Sequence, residues 1–77
     1  MQYVKKYPYN KLNALLLGKK VHFISDCQLF PNFDITAKPI SISLINGIPL
    51  IKAILNNGKT IQIDGGMSNL QFEVLSK

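Results

Sequence analysis

His22 and Cys27 are the side chains with the most reactive chemistry, and each is the only one of its kind in the chain. A thiol and an imidazole can together make a nucleophile. That pair also needs a third group to orient the ring and donors for the developing oxyanion, and the sequence presents neither in a recognisable context. Zinc fares worse. One Cys and one His leave a tetrahedral site short of ligands unless subunits share it. Asp26, Asp34, Asp64 and Glu73 are the entire supply of carboxylates, scattered at spacings that match no acid–base pair. Gly65-Gly66 could let backbone amides approach a phosphate, but a phosphate loop needs a longer glycine pattern opening onto a helix. A flexible turn accounts for these glycines better. The expectation is a protein that is not an enzyme, with no catalytic residues, no metal and no cofactor.

Binding chemistry is better represented. Net charge is +5, and its distribution is uneven. Lys5, Lys6, Lys11, Lys19 and Lys20 stand in the first 25 residues without any acid, whereas the remaining lysines and acids cancel. Tyr3, Tyr7 and Tyr9 are interleaved with Lys5 and Lys6. Lysines among aromatic rings suit single-stranded nucleic acid, with ammonium groups on phosphates and bases stacked on rings. Tyr3, Lys5, Lys6, Tyr7, Lys11, Lys19 and Lys20 are therefore the candidate nucleic-acid contacts. The chain has no arginine, whose fork reads guanine edges, so sequence-specific DNA reading is not expected.

The elements that position these groups are mostly strands. Ile40, Ile42 and Leu44 alternate with Ser41 and Ser43, the period-2 pattern of a strand with one buried face. Asn46-Gly47 is the preferred pair for a two-residue type I′ turn. It sets Leu44 opposite Pro49, Ile42 opposite Ile51 and Ile40 opposite Ala53. Asn56-Asn57-Gly58 is a second turn. A three-residue loop there, with Gly58 in the left-handed conformation, places Ile61 and Ile63 beside Ala53 and Ile51 on the same face. Lys19 to Ser25 reads as a first strand and Leu70 to Val74 as a last one. Asp34 to Lys38 reads as an edge strand, with Pro39 at its boundary. Asn10 as N-cap, leucines at 12, 15 and 16, and Gly18 as terminator predict a short helix over 11–17.

The fold class expected is mainly β: a small antiparallel barrel or meander of about five strands after one short helix. Its strand count matches SH3-like, Sm-like and oligonucleotide-binding folds, although no motif of those families is present. The 77 residues make one domain, with a basic-aromatic arm over 1–9, the helix, and a β domain over 19–77. Lys5-Lys6 is followed by no apolar run, so no signal peptide is expected. No apolar run is long enough to span a bilayer. A single cysteine is compatible with a reducing cytoplasm, the expected location, and no membrane partner is expected.

The far face of the first hairpin combines Ile45, Ile48, Leu50 and Ile54 with serines and Lys52. It is too apolar near Asn46-Gly47 for a solvated surface. Phe30 and Phe33 flank Pro31-Asn32 and add two candidate anchors. These six apolar residues define the expected protein-binding site. The reading is a non-enzymatic protein-binding or regulatory module that forms a homo-oligomer, such as the inhibitors that phages and mobile elements encode. Nucleic-acid binding through the first third is the alternative.

Overall fold

The computed structural model describes residues 1–26, 33–67 and 69–76. Cys27 and Phe30, with the turn expected at Pro31-Asn32, lie outside the described residues. Six antiparallel strands form one sheet in the order β1-β6-β2-β3-β4-β5. They are β1 (Gln2–Tyr3), β2 (Lys20–Ser25), β3 (Phe33–Ile45), β4 (Ile48–Leu55), β5 (Thr60–Asp64) and β6 (Gln71–Ser76). A 3₁₀ turn (Val4–Lys6) and helix α1 (Tyr9–Leu16) separate β1 from β2. The mainly β expectation holds, with six strands in place of about five. The closed barrel does not. The sheet stays open, with β1 and β5 at its two edges. Strand β1 is two residues long before the chain turns into the 3₁₀ helix, too short to reach across and pair with β5.

Both hairpin registers are as the turn residues dictate. Asn46 and Gly47 have φ of 53° and 79°, as a type I′ turn requires, and Leu44 faces Pro49 while Ile42 faces Ile51. Gly58 has φ 86°, and Ile61 and Ile63 face Ala53 and Ile51. The departure is at Pro39. The register shifts between Pro39 and Ser41, so Pro39 faces Ala53 and Ile40 is turned outward at 42% exposure. Asp34 to Lys38 is consequently no edge strand. It is the first half of the long central β3, paired to β2 on its far side. Proline has no N–H for the ladder, and a bulge is where a central strand tolerates it.

Pairs in an antiparallel ladder alternate between hydrogen-bonded and open. Counting from Ile45–Ile48 at the two-residue turn, Ile42 and Leu44 aim their backbone groups away from β4. Strand β2 pairs only with the first half of β3, so this stretch would be a bare edge. Helix α1 and the turn after it cover part of it. The Tyr9 hydroxyl donates to the Ile42 carbonyl at 2.8 Å, and the Gly18 N–H donates to the Pro39 carbonyl at 2.9 Å. Covering an edge with a helix suppresses unwanted strand pairing.

The helix itself starts two residues earlier than expected. Pro8 precedes it, with φ −69°, and the Pro8 carbonyl accepts from the Lys11 and Leu12 N–H groups. Asn10 therefore lies inside the first turn and caps nothing, because proline already holds the helix-entry dihedral. Eight residues do not persist as an isolated helix in water. Leu12 and Leu16 supply the missing stability by packing under the sheet with Val21, Phe23, Ile51, Ile63, Leu70 and Phe72. Each such side chain contributes about 1.5–3 kcal/mol on burial. The basic-aromatic N-terminal segment lies against the sheet. Tyr3 faces Gln71 on β6, Val4 is buried, and the Val4 N–H donates to the Leu70 carbonyl at 3.0 Å.

Candidate functional site

His22 sits on the outer face of β2, and its Nε2 lies 2.6 Å from Oδ1 of Asp34 on β3. The register places Asp34 two rungs along on the same face, opposite Ile24. The pair is solvent-exposed, where an ion pair contributes about 0–1 kcal/mol. Among the described residues no cluster of three His, Cys, Asp or Glu side chains could hold a metal ion.

The glycine turn after β5 is not a phosphate cradle, nor is it loose. The Gly65 N–H donates to the Pro49 carbonyl at 2.8 Å, and the Gly66 N–H donates to Oδ1 of Asp64 at 2.8 Å. Both amides are committed. Gly65 is buried against Pro49 so closely that a Cβ there would lie 2.5 Å from its ring and its carbonyl oxygen. Glycine is present for close approach, not for flexibility.

The N-terminal lysines and tyrosines separate into different roles. The Tyr7 ring packs edge-on against Phe72 with centroids 5.8 Å apart, and its hydroxyl donates to Gln2 Oε1 at 3.0 Å. Tyr3 is 39% exposed with Lys6 Nζ 5.6 Å from its ring centroid. Lys19 donates from Nζ to the Ala14 carbonyl at 3.2 Å, near the negative end of the helix. Lys5, Lys6, Lys11 and Lys20 are exposed. Tyr7 and Tyr9 thus spend their polar tips on the fold.

The apolar residues of the first hairpin do come together at its tip. Ile45 and Ile48 face each other across the turn at 54% and 45% exposure. Half-buried Leu50 follows on the same face, beside Ser43. Ile45, Asn46, Ile48, Leu50 and Asp64 line one shallow cleft, and a second lies between Ile48-Pro49 and Val4, Lys5 and Tyr7. Their volumes, ≈ 200 and ≈ 250 Å³, fall below the ~300–1,000 Å³ of small-molecule sites. Ile54 is on this face too, but Lys52 stands between it and the tip. Phe33 is half-buried and lines a separate small cleft with Gln62, Asp64 and Met67.

Leu44 is the residue that sequence reasoning placed wrongly in kind. It lies on the inner face opposite Pro49, yet is 51% exposed, because the tip extends past the end of the core. The absence of an apolar partner beyond Pro49 across the hairpin was its only signal. No protein-family model, curated protein or solved structure matches this chain.

Proposed function

We propose that this chain is a non-catalytic protein-binding module that self-associates through the tip of the β3–β4 hairpin. One observation carries the reading: Ile45 and Ile48, opposed across the turn on one face, are 54% and 45% exposed, and half-buried Leu50 follows them on that face. No charged residue occurs between Lys38 and Lys52, so two copies of the tip meet without like charges opposing. In a two-fold pair the same patch serves both subunits. Finishing the burial of half-exposed aliphatic side chains contributes about 0.8–1.5 kcal/mol each. Four of them, two from each copy, contribute about 3–6 kcal/mol, against an association cost of about 4–15 kcal/mol. The balance is a weak, concentration-dependent dimer, which a protein partner with a better-fitted groove would outcompete. A module of this kind regulates by occupying a surface, not by chemistry.

Light scattering behind a sizing column, from about 10 μM to about 1 mM, tests this against the affinity scale. The expected result is a mass that rises toward the dimer with concentration and persists at high salt, since apolar contacts are not screened. Ile45→Lys, at an exposed position, should hold the monomer mass throughout. A wild-type monomer at every concentration, or an Ile45→Lys variant that dimerises equally, would remove the reading.

A further inference from the structure

Asparagine or aspartate stands directly before glycine at Asn46-Gly47, Asn57-Gly58 and Asp64-Gly65. Such pairs carry a reaction of their own. The glycine amide nitrogen attacks the side-chain carbonyl carbon of the residue before it and closes a five-membered succinimide. Asparagine is thermolabile by this route, and glycine suits the attack because no Cβ shields its amide. The nucleophile is always adjacent. The fold therefore sets the rate by holding or freeing two groups, the glycine N–H and the side chain before it.

The structure treats the three pairs differently. Gly65 is buried and its N–H donates to the Pro49 carbonyl at 2.8 Å, while Asp64 Oδ1 accepts from the Gly66 N–H. The Gly58 N–H donates to the Leu55 carbonyl at 2.9 Å, and Asn57 Oδ1 accepts from the Lys59 N–H at 3.0 Å. Each of these pairs must give up hydrogen bonds at both reacting groups before it closes a ring. Asn46 and Gly47 are exposed at the hairpin tip. Among the described residues no hydrogen bond engages the Gly47 N–H or the Asn46 carboxamide. The Ile45–Ile48 pair that flanks the turn uses neither group. A Cβ built on Gly47 would meet nothing within 4 Å, so no neighbouring atom crowds the approach.

We infer that Asn46 is a self-modification site, which converts to aspartate and isoaspartate while the fold holds Asn57 back. The Gly47 nitrogen yields its proton to water and bonds to Asn46 Cγ. The Cγ–Nδ2 bond breaks, and ammonia leaves after taking up a proton. One water then opens the succinimide. Attack at Cγ gives aspartate; attack at the main-chain carbonyl carbon gives isoaspartate, whose backbone runs through the side chain. Either product places a negative charge on a stretch with no charged residue between Lys38 and Lys52. Isoaspartate also adds a methylene to a two-residue turn whose length sets the Ile45–Ile48 closure. Where the tip joins two copies, the conversion is an irreversible off-switch, and this consequence alone rests on the self-association proposed above.

The test holds the full chain in warm, mildly alkaline, ammonia-free buffer, folded and in urea. Peptide mapping with fragmentation follows the gain of about 1 Da at each asparagine. In the folded chain Asn46 should convert about tenfold faster than Asn57, the ratio that two hydrogen bonds impose. In urea both pairs are free, and their rates should agree within about threefold. Asn57 converting as fast as Asn46 in the folded chain would overturn the assignment. So would the same tenfold gap in urea, or a folded Asn46 that stays intact while the unfolded chain converts. The purified isoaspartate product should hold the monomer mass at concentrations where the fresh chain gains mass. Equal gain by both would overturn the off-switch. A fresh chain that is monomeric throughout would overturn self-association and the off-switch with it, and the conversion rates would still decide the site.

Discussion

Replacing Gly65 by alanine should destabilise the protein far more than replacing its neighbour Gly66, although the two glycines form one turn. A Cβ at Gly65 would lie 2.5 Å from Pro49 Cγ, 2.5 Å from its carbonyl oxygen and 3.2 Å from its Cδ. None of these atoms moves cheaply. The proline ring is rigid, and the carbonyl oxygen is the one that accepts the Gly65 N–H at 2.8 Å. Relief requires opening the end of the β4–β5 ladder or losing that buried hydrogen bond. Overpacking of this kind costs about 1–3 kcal/mol, and the lost bond about 0.5–1.5. Alanine restricts the unfolded chain and returns about 0.4–1 kcal/mol. The net loss is about 1–3 kcal/mol, which lowers the Tm of a domain this size by about 5–20 °C. At Gly66 the nearest atoms are Asp64 Oδ1 at 3.1 Å and Ile48 Cγ2 at 3.3 Å, both on side chains that can rotate. Gly66→Ala should therefore cost less than about 1 kcal/mol. Thermal unfolding by circular dichroism, with urea titration for the free energies, measures both. A Gly65→Ala protein within about 2 °C of wild type, or no worse than Gly66→Ala, would refute the packing of this turn on Pro49.

Tyr9→Phe removes the hydroxyl that covers the Ile42 carbonyl and should cost about 0.5–1.5 kcal/mol in urea titration. No loss would mean that solvent already serves that edge. Leu16→Ala empties a fully buried site between α1 and the sheet and should cost about 2–5 kcal/mol, a large share of the ~4–12 kcal/mol expected for 77 residues. A loss below about 1 kcal/mol would show that the helix is not docked as described. His22→Ala breaks an exposed pair and should change stability by less than about 0.5–1 kcal/mol. A larger loss would mean that the pair is more than a surface contact.

Local chemistry made the two hairpins legible. Asn46-Gly47 and Asn56-Asn57-Gly58 each dictate a loop length, and a slip of one residue would expose Ile51 and Ile63. The bulge at Pro39 was not legible, because the alternation of Ile40, Ile42 and Leu44 is unbroken in sequence. Only the Gly18 N–H at the Pro39 carbonyl, a contact between distant segments, marks where the register shifts. The pairing of the N-terminal segment was not legible for a related reason. Two strand residues carry no periodic signal, and their partner, β6, is some 70 positions away. At the candidate site, Ile45 and Ile48 followed directly from the turn. Ile54 is separated by Lys52, and Phe30 lies outside the described residues.

The central claim is that the hairpin tip is the contact surface between copies. The most direct measurement is the concentration dependence of backbone amide chemical shifts of the full chain, from about 50 μM to about 1 mM, spanning the affinity expected of a weak dimer. Shifts confined to Leu44, Ile45, Asn46, Gly47, Ile48 and Leu50, and abolished by Ile45→Lys, are the predicted result. Concentration-independent spectra, or shifts centred on β5 or on the N-terminal turn with the hairpin tip unmoved, would contradict it.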